Sequence, residues 1–125
     1  MGTTAHTAIG VDIIEIDRIK RAVSRWQDSF LKRIYTQAEL DNHRNISSLA
    51  ARFAAKEAVM KALGTGTRGV GWTDIEIITN SHGRPRVRLY GRALKKSVEI
   101  GLSRFDVSLS HSKNYAVAFV ICHAK

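Results

Sequence analysis

The chain has 125 residues, and its 20 Lys and Arg against 11 Asp and Glu give a net charge of +9 when the histidines are neutral. This length predicts one domain, residues 1–125, and the single cysteine excludes an intramolecular disulfide and a cysteine-based zinc site. No apolar run reaches the about 18 residues of a membrane span and no secretory signal begins the chain, so we expect a cytoplasmic protein without a membrane partner.

The positive charge predicts an acidic partner. A net charge of +9 on so small a body attracts polyanions and speeds their encounter with it. Nucleic acids, phosphate-rich small molecules and acidic proteins all fit, and composition does not choose among them. Aromatic residues make up only 7% of the chain and do not alternate with basic ones, which argues against a platform for stacked bases.

The chain begins with a predicted strand, followed by a helix. Residues 7–14 are apolar and partly β-branched, as in a buried strand. Asp17 predicts the N-cap of a helix over residues 18–26, and residues 29–35 continue as a further helical turn. The residues of its apolar face are Ile16, Ile19, Val23 and Trp26, and those of its basic face are Arg18, Arg21 and Arg25.

A second helical region precedes a β-rich half. The longest predicted helix covers residues 49–63, which are rich in alanine and leucine. Its predicted caps are Ser47 or Ser48 at the start and Gly64 at the end, and Thr36 with Glu39 form a capping box before it. The remaining elements are strands 74–79 and 86–90 joined by the turn 80–85, a helix over 91–101, and a hairpin of strands 104–111 and 115–123.

The last strand is apolar on both faces, so we place it centrally in the sheet. The predicted fold class is α+β, with a long helix and shorter helices packed on one face of a mostly antiparallel sheet.

A few charged residues stand inside apolar patterns. Asp12 interrupts the first strand, where it either ends the strand or faces a cation. Glu57 and Lys61, one helical turn apart, are either an ordinary surface pair or an inward-facing one. His111 continues the alternation of core residues on its strand, a position where a histidine is more often structural than functional.

One arrangement accounts for these residues together. Asp12 and Glu57 offer two hard oxygen ligands for a magnesium ion that also binds phosphate oxygens. Lys61 could neutralise the same phosphates, with Arg52 and His111 contributing further charge. Such a set serves phosphoryl or phosphodiester transfer, in which positioning and charge neutralisation do most of the work. A small nucleic-acid-binding protein and a metal-dependent nuclease remain as alternatives.

Several sequence blocks resemble those of a known family, the holo-acyl-carrier-protein synthases, which are bacterial 4'-phosphopantetheinyl transferases of fatty-acid synthesis. The blocks are residues 10–18 (GVDIIEIDR), 36–40 (TQAEL), 52–58 (RFAAKEA) with 61–64 (KALG), 83–85 (GRP), and 108–111 (SLSH) with Tyr115 and Ala116. Their order and spacing match over nearly the whole chain after Thr7. Larger relatives carry a second acid two residues after the first metal ligand. Ile14 stands there in this chain, which therefore resembles the small branch of the family.

This resemblance implies a magnesium-dependent transfer of phosphopantetheine from coenzyme A to a serine of apo-acyl carrier protein, with adenosine 3',5'-bisphosphate as the other product. It implies that Asp12 and Glu57 bind the metal and that Lys61 binds the coenzyme A phosphates. The other implied coenzyme A residues are Arg52, Gly64, Gly83, Arg84, Pro85 and His111. Two carboxylates rather than three leave open whether a water or a side chain removes the proton of the serine.

The resemblance also implies two kinds of assembly. Acyl carrier proteins are acidic, so the basic strip of Arg18, Arg21 and Arg25 is predicted to bind the carrier and to steer its approach. The small members of the family form homotrimers with their sites at subunit interfaces, which we expect here. No nucleic acid partner is implied.

Overall fold

The computed structural model describes residues 7–124 as an α+β fold in which two antiparallel sheets pack against helices. Residues 1–6 and 125 of the predicted single domain lie outside the described residues. The elements in chain order are β1 (Thr7–Glu15), α1 (Ile16–Ile34), α2 (Gln37–Asn42), α3 (Ile46–Leu63), a 3₁₀ turn (Trp72–Asp74), β2 (Ile75–Thr79), β3 (Pro85–Leu89), α4 (Gly91–Ile100), β4 (Arg104–His111) and β5 (Tyr115–His123). The predicted fold class is confirmed, but the strands form two sheets where one was expected.

The larger sheet has the strand order β1-β5-β4, so β5 is central as predicted. One face of this sheet packs against α3, and small residues of β5 such as Ala116 and Ala118 let the helix approach closely. The opposite face of the sheet is also apolar, but in the single chain no element of residues 7–124 covers it and its residues are exposed. The exposed residues of this outer face are Ile9, Val11, Ile13, Tyr115, Phe119 and Ile121.

Helix α3 lies at the centre of the fold and is buried around most of its circumference. It contacts β1 most closely at Gly10, where a Cβ atom would lie 1.8 Å from the carbonyl oxygen of Ala58. A side chain at this position would therefore push the strand away from the helix. The smaller sheet, β2 with β3, packs beside α3 without joining the larger sheet.

The predicted N-caps of the two long helices are wrong. Helix α1 begins at Ile16, directly after β1, so Asp17 lies in its first turn. A carboxylate there stabilises the helix through its dipole but does not act as the N-cap. Helix α3 begins at Ile46 and is capped by Asn45, whose side chain accepts a hydrogen bond from the backbone of Ser48 at 2.8 Å. The predicted stop at Gly64 is confirmed, with φ of 78°.

Helix α1 continues past the predicted end and contains one break. It reaches Ile34, as residues 29–35 predict, but Gln27 has φ of 48° and ψ of −128°, which no α-helix allows. The hydroxyl of Ser29 donates a hydrogen bond to the carbonyl of Trp26 at 2.8 Å. Trp26, predicted on the apolar face, is exposed, whereas Ile19 on the same face is buried.

The other boundaries shift by one residue or less. Asp74 belongs to the 3₁₀ turn rather than to β2, β3 begins at Pro85 and ends at Leu89, and α4 ends at Ile100, before Gly101. The predicted hairpin β4–β5 and the capping box are both confirmed. Among residues 7–124, no helix combines the length and apolarity needed to cross a bilayer.

Candidate active site

Asp12 and Lys61 meet at the contact between β1 and α3. Asp12 alternates with Gly10 and Ile14 on the side of β1 that faces the helix, and its side chain is only 12% exposed. The Lys61 ammonium donates to Asp12 Oδ1 at 3.0 Å and to the carbonyl of Val11 at 2.9 Å. Since β1 continues to Glu15, Asp12 does not end the strand, and its carboxylate faces a cation instead.

Glu57 lies one turn before Lys61 on α3 and is half-buried. Burial raises the pKa of Glu57, and the negative charge of Asp12 raises it further, while the cations Arg18 and Lys61 oppose both effects. Lys61 binds Asp12, and Glu57 lies one helical turn before Lys61, so the two carboxylates lie at the same strand–helix contact. Neither interpretation of Glu57 and Lys61 holds fully: among the described residues the two form no ion pair with each other, and Lys61 bonds to β1 while its side chain stays 54% exposed.

This carboxylate pair has the chemistry of a divalent cation site with few protein ligands. Among residues 7–124, no group of three or more His, Cys, Asp or Glu is placed to hold a metal ion. Asp12 and Glu57 alone would leave most coordination positions of a hard cation to water and to substrate oxygens, an arrangement that suits Mg²⁺. The repulsion between their charges is the kind that a bound cation relieves.

A second part of the site is a cavity of about 660 Å³ between the tip of the β2–β3 hairpin and strand β4. Of the residues implied for coenzyme A, Arg52, Gly83, Arg84 and Pro85 line this cavity together. The hairpin tip is held by Asn80, whose side chain accepts hydrogen bonds from the backbone amides of His82 and Arg84 at 2.9 and 3.0 Å. Gly83 takes φ of 80°, which favours glycine.

His111 lies at the end of β4, exposed rather than in the core that its alternation suggested. It lines a smaller cavity of about 300 Å³ together with Arg52 and Ser48. The Arg52 guanidinium, which faces both cavities, donates to Ser48 Oγ at 2.9 Å, to Thr79 Oγ1 at 3.0 Å and to the Ile77 carbonyl at 3.1 Å. Arg52 is therefore buried and held in place by bonds within the chain, while it also lines both cavities.

The predicted residues form two clusters at different positions along α3. Lys61 and Arg52 are two and a half turns apart, or about 13 Å of helix rise. Gly64 is exposed just after Lys61, at the C-cap of the helix. The carboxylate cluster and the 660 Å³ cavity are thus distinct regions of one chain.

A buried ion pair was missed by the sequence analysis. The Lys56 ammonium lies 2.8 Å from Glu39 Oε1, and both side chains are completely buried. Burial lowers the pKa of Lys56, while the charge of Glu39 opposes that shift. One signal was available, because Lys56 interrupts the helical stripe of Phe53, Met60 and Leu63 with a charge at a core position.

The basic strip is exposed along α1. Arg21 forms an ion pair with Asp17 at 3.2 Å, and the guanidinium of Arg25 lies over the ring of Trp26 at 4.8 Å. Arg18 lies at the end nearest the carboxylates, since its charge acts on Glu57. The strip therefore begins beside the carboxylate cluster and runs away from it.

The part of the chain that matches known proteins includes the residues of both clusters. The sequence profile of the 4'-phosphopantetheinyl transferase superfamily matches residues 8–120. A protein of Herpetosiphon aurantiacus named holo-[acyl-carrier-protein] synthase is 48% identical over an alignment of 120 positions, and the match covers 90% of this chain and 94% of that protein.

Solved structures match the fold over the same range. The holo-[acyl-carrier-protein] synthase of Neisseria meningitidis is 39% identical with a TM-score of 0.83, covering 93% of this chain and 97% of that one. The enzyme of that name from Helicobacter pylori, solved in complex with coenzyme A, is 32% identical with a TM-score of 0.83, covering 91% and 98%.

Proposed function

The chain belongs to the 4'-phosphopantetheinyl transferase superfamily, and from this membership we propose that it acts as a holo-acyl-carrier-protein synthase. It transfers the 4'-phosphopantetheine group of coenzyme A to a serine hydroxyl of apo-acyl carrier protein. The serine oxygen forms a new bond to phosphorus as the bond to the bridging pyrophosphate oxygen breaks. Adenosine 3',5'-bisphosphate is released, and the proton of the serine is lost to solvent.

Asp12 and Glu57 would hold a magnesium ion, which would neutralise the pyrophosphate and polarise the phosphorus that is attacked. The proposal is supported by the effect of Asp12 on Glu57, since its negative charge raises the pKa of Glu57. A bound cation would compensate the negative charges of both carboxylates. Asp12 is oriented by Lys61, and Glu57 is held on the rigid helix α3.

Lys61 would bind a phosphate of coenzyme A. Two of its three N–H donors are committed to Asp12 and to the carbonyl of Val11, and its side chain is 54% exposed. Those two bonds fix the direction of the third N–H group of Lys61, which is left to donate to a phosphate oxygen. The adenosine end would enter the cavity at Gly83, Arg84 and Pro85, with Arg52 and His111 as further phosphate contacts.

The single observation that carries this function is the meeting of Asp12, Glu57 and Lys61, since nothing in local structure requires these three charges at one strand–helix contact. The test is incubation with coenzyme A, Mg²⁺ and an apo-acyl carrier protein, followed by mass spectrometry of the carrier. We expect the mass of the carrier to increase by one phosphopantetheine group. An unchanged carrier over a range of Mg²⁺ concentrations would overturn the function, and cleavage of an added oligonucleotide would favour the nuclease.

A homotrimer is proposed as the active form. The outer face of the larger sheet exposes Ile9, Val11 and Ile13 beside aromatic residues of β5, and an apolar patch of this kind marks an interface. Subunits packed through this face could bring the carboxylate cluster of one copy toward the coenzyme A cavity of the next. That arrangement would explain why the two clusters lie apart in one chain.

The apolar outer face makes a mutational prediction. Ile13, 64% exposed in the single chain, should tolerate glutamate in a monomer but not at a packed interface, because a buried unpaired carboxylate is costly. We expect Ile13→Glu to convert a trimer into monomers in size-exclusion chromatography with light scattering. Val98→Glu is the matched control, since Val98 is an exposed apolar residue on α4, away from this face. If Ile13→Glu and Val98→Glu form assemblies of the same mass in solution, the assignment of this interface is refuted.

The basic strip makes a second prediction. Arg25→Glu should weaken binding of the acidic carrier protein by about tenfold and slow its association, with little change in coenzyme A binding. Arg25 is the better target because Arg18 also acts on the pKa of Glu57, so its reversal would disturb two sites. Lys95→Glu, an equal charge change on α4, is the control in surface plasmon resonance. Equal losses in the two variants would mean that net charge alone attracts the carrier.

A further inference from the structure

Strand β2 pairs with β3 along one edge, and no strand of residues 7–124 pairs with the other. That second edge is closed by side chains. The amide of Ile77 donates to Glu39 Oε2 at 2.8 Å, and the carbonyl of Ile77 accepts from Arg52 Nε at 3.1 Å. The carbonyl of Ile75 accepts a hydrogen bond from the Lys56 ammonium.

The spacing of these bonds follows from the geometry of the two elements. Arg52 and Lys56 are four residues apart on α3, which corresponds to about 6 Å of rise. Ile77 and Ile75 are two residues apart on β2, which corresponds to about 6.6 Å. One helical turn therefore matches one strand repeat, so two cations of α3 reach successive carbonyls on the same edge.

Neither member of the buried pair is accessible to a ligand, because both side chains are completely buried and bonded within the chain. Lys56 donates to Glu39, to the Ile75 carbonyl and to the Trp72 carbonyl, the last at 3.1 Å, which uses its three N–H groups. Glu39 Oε1 also accepts from the Thr36 amide at 2.9 Å, while Oε2 binds β2. The role of the pair is therefore to hold other groups in place.

The group held in place is the β2–β3 hairpin, whose tip lines the 660 Å³ cavity. We infer that Glu39 and Lys56 are positioning residues for the coenzyme A site: with Arg52 they form a side-chain ladder that replaces a missing strand and sets the hairpin tip against β4. This inference rests on the proposed function for the identity of the ligand. It extends that function by two residues that do not contact the ligand.

The test compares coenzyme A binding by calorimetry in Glu39→Gln, in the double variant Lys56→Met/Glu39→Gln, and in the wild type. Glu39→Gln leaves the buried Lys56 ammonium without its partner, whereas the double variant removes both charges of the pair and so avoids that penalty on folding. We expect both variants to bind coenzyme A about tenfold more weakly, because small displacements of positioning groups have large effects. Amide exchange at Ile77 should be faster in both. Leu31→Ala, a core truncation on α1, controls for lost stability and should bind normally.

The outcomes separate the two proposals. A wild-type protein that does not bind coenzyme A overturns the proposed function itself. If both variants bind coenzyme A as tightly as the wild type does, only the positioning role is overturned. Recovery of normal binding in the double variant also overturns it, because global stability rather than hairpin position would then explain the single variant. In turnover assays, a rise in KM for coenzyme A with nearly constant kcat supports positioning.

Discussion

Asp12→Asn should reduce transfer of phosphopantetheine by a factor on the order of 10³ while the protein stays folded. The amide keeps the size of the side chain but removes the charge that a divalent cation requires, so the cation would have Glu57 as its one protein carboxylate. Stability should change little, because the ion pair of Asp12 with the half-exposed Lys61 is of the kind worth about 1 kcal/mol or less. Asp41→Asn, an exposed carboxylate change on α2, should leave transfer intact.

The same substitution has a readout that does not depend on turnover. Binding of Mn²⁺, followed by calorimetry, should weaken strongly in Asp12→Asn and in Glu57→Gln, with little further loss in the double variant, because both ligands act on one ion. Burial and Asp12 raise the pKa of Glu57, so in the wild type Mn²⁺ affinity should increase with pH as that carboxyl loses its proton. Full transfer activity in either single variant would exclude that residue from the metal site.

The carboxylate cluster was predictable because its residues break the patterns around them. An aspartate inside an apolar strand and a Glu–Lys pair flanked by alanine are costly to bury unless their charges are compensated. The simplest solution is that these charges lie at one common site. Glu39 offered no such signal, since the capping box with Thr36 already explains a glutamate at its position. The capping box is present, yet Glu39 also binds Lys56 and β2, and that role depends on tertiary contacts.

Other errors arose where neighbouring residues compete for one role. Asn45, Ser47 and Ser48 are all good N-caps, and the backbone conformation of Asn45, not residue type, decides among them. The break at Gln27 has no glycine or proline to announce it. Alternation showed that β5 is apolar on both faces, but it does not distinguish the face that α3 covers from the face that is exposed in the single chain.

Gly10→Ala should have the largest effect on stability, although it adds only one methyl group. The new Cβ atom would lie 1.8 Å from the Ala58 carbonyl oxygen and 3.1 Å from the Ala62 amide nitrogen, and both are backbone atoms of a buried helix. Neither can move aside by a change of rotamer, so β1 and α3 must separate. We expect a loss of about 3 kcal/mol or more, which lowers Tm by about 10 °C in thermal unfolding.

Two comparisons make this prediction specific. Gly71→Ala should be nearly neutral, because its Cβ atom would lie 3.5 Å from its nearest neighbour and its φ of −82° suits any residue. Ala58→Gly should not rescue Gly10→Ala, because the colliding atom is a backbone oxygen that glycine keeps. Asp12 is two residues from Gly10, so the folded fraction of Gly10→Ala should also bind Mn²⁺ weakly. Wild-type stability in Gly10→Ala would show that β1 does not pack against α3 at this distance, and the alignment of Asp12 with Glu57 and Lys61 would lose its structural basis.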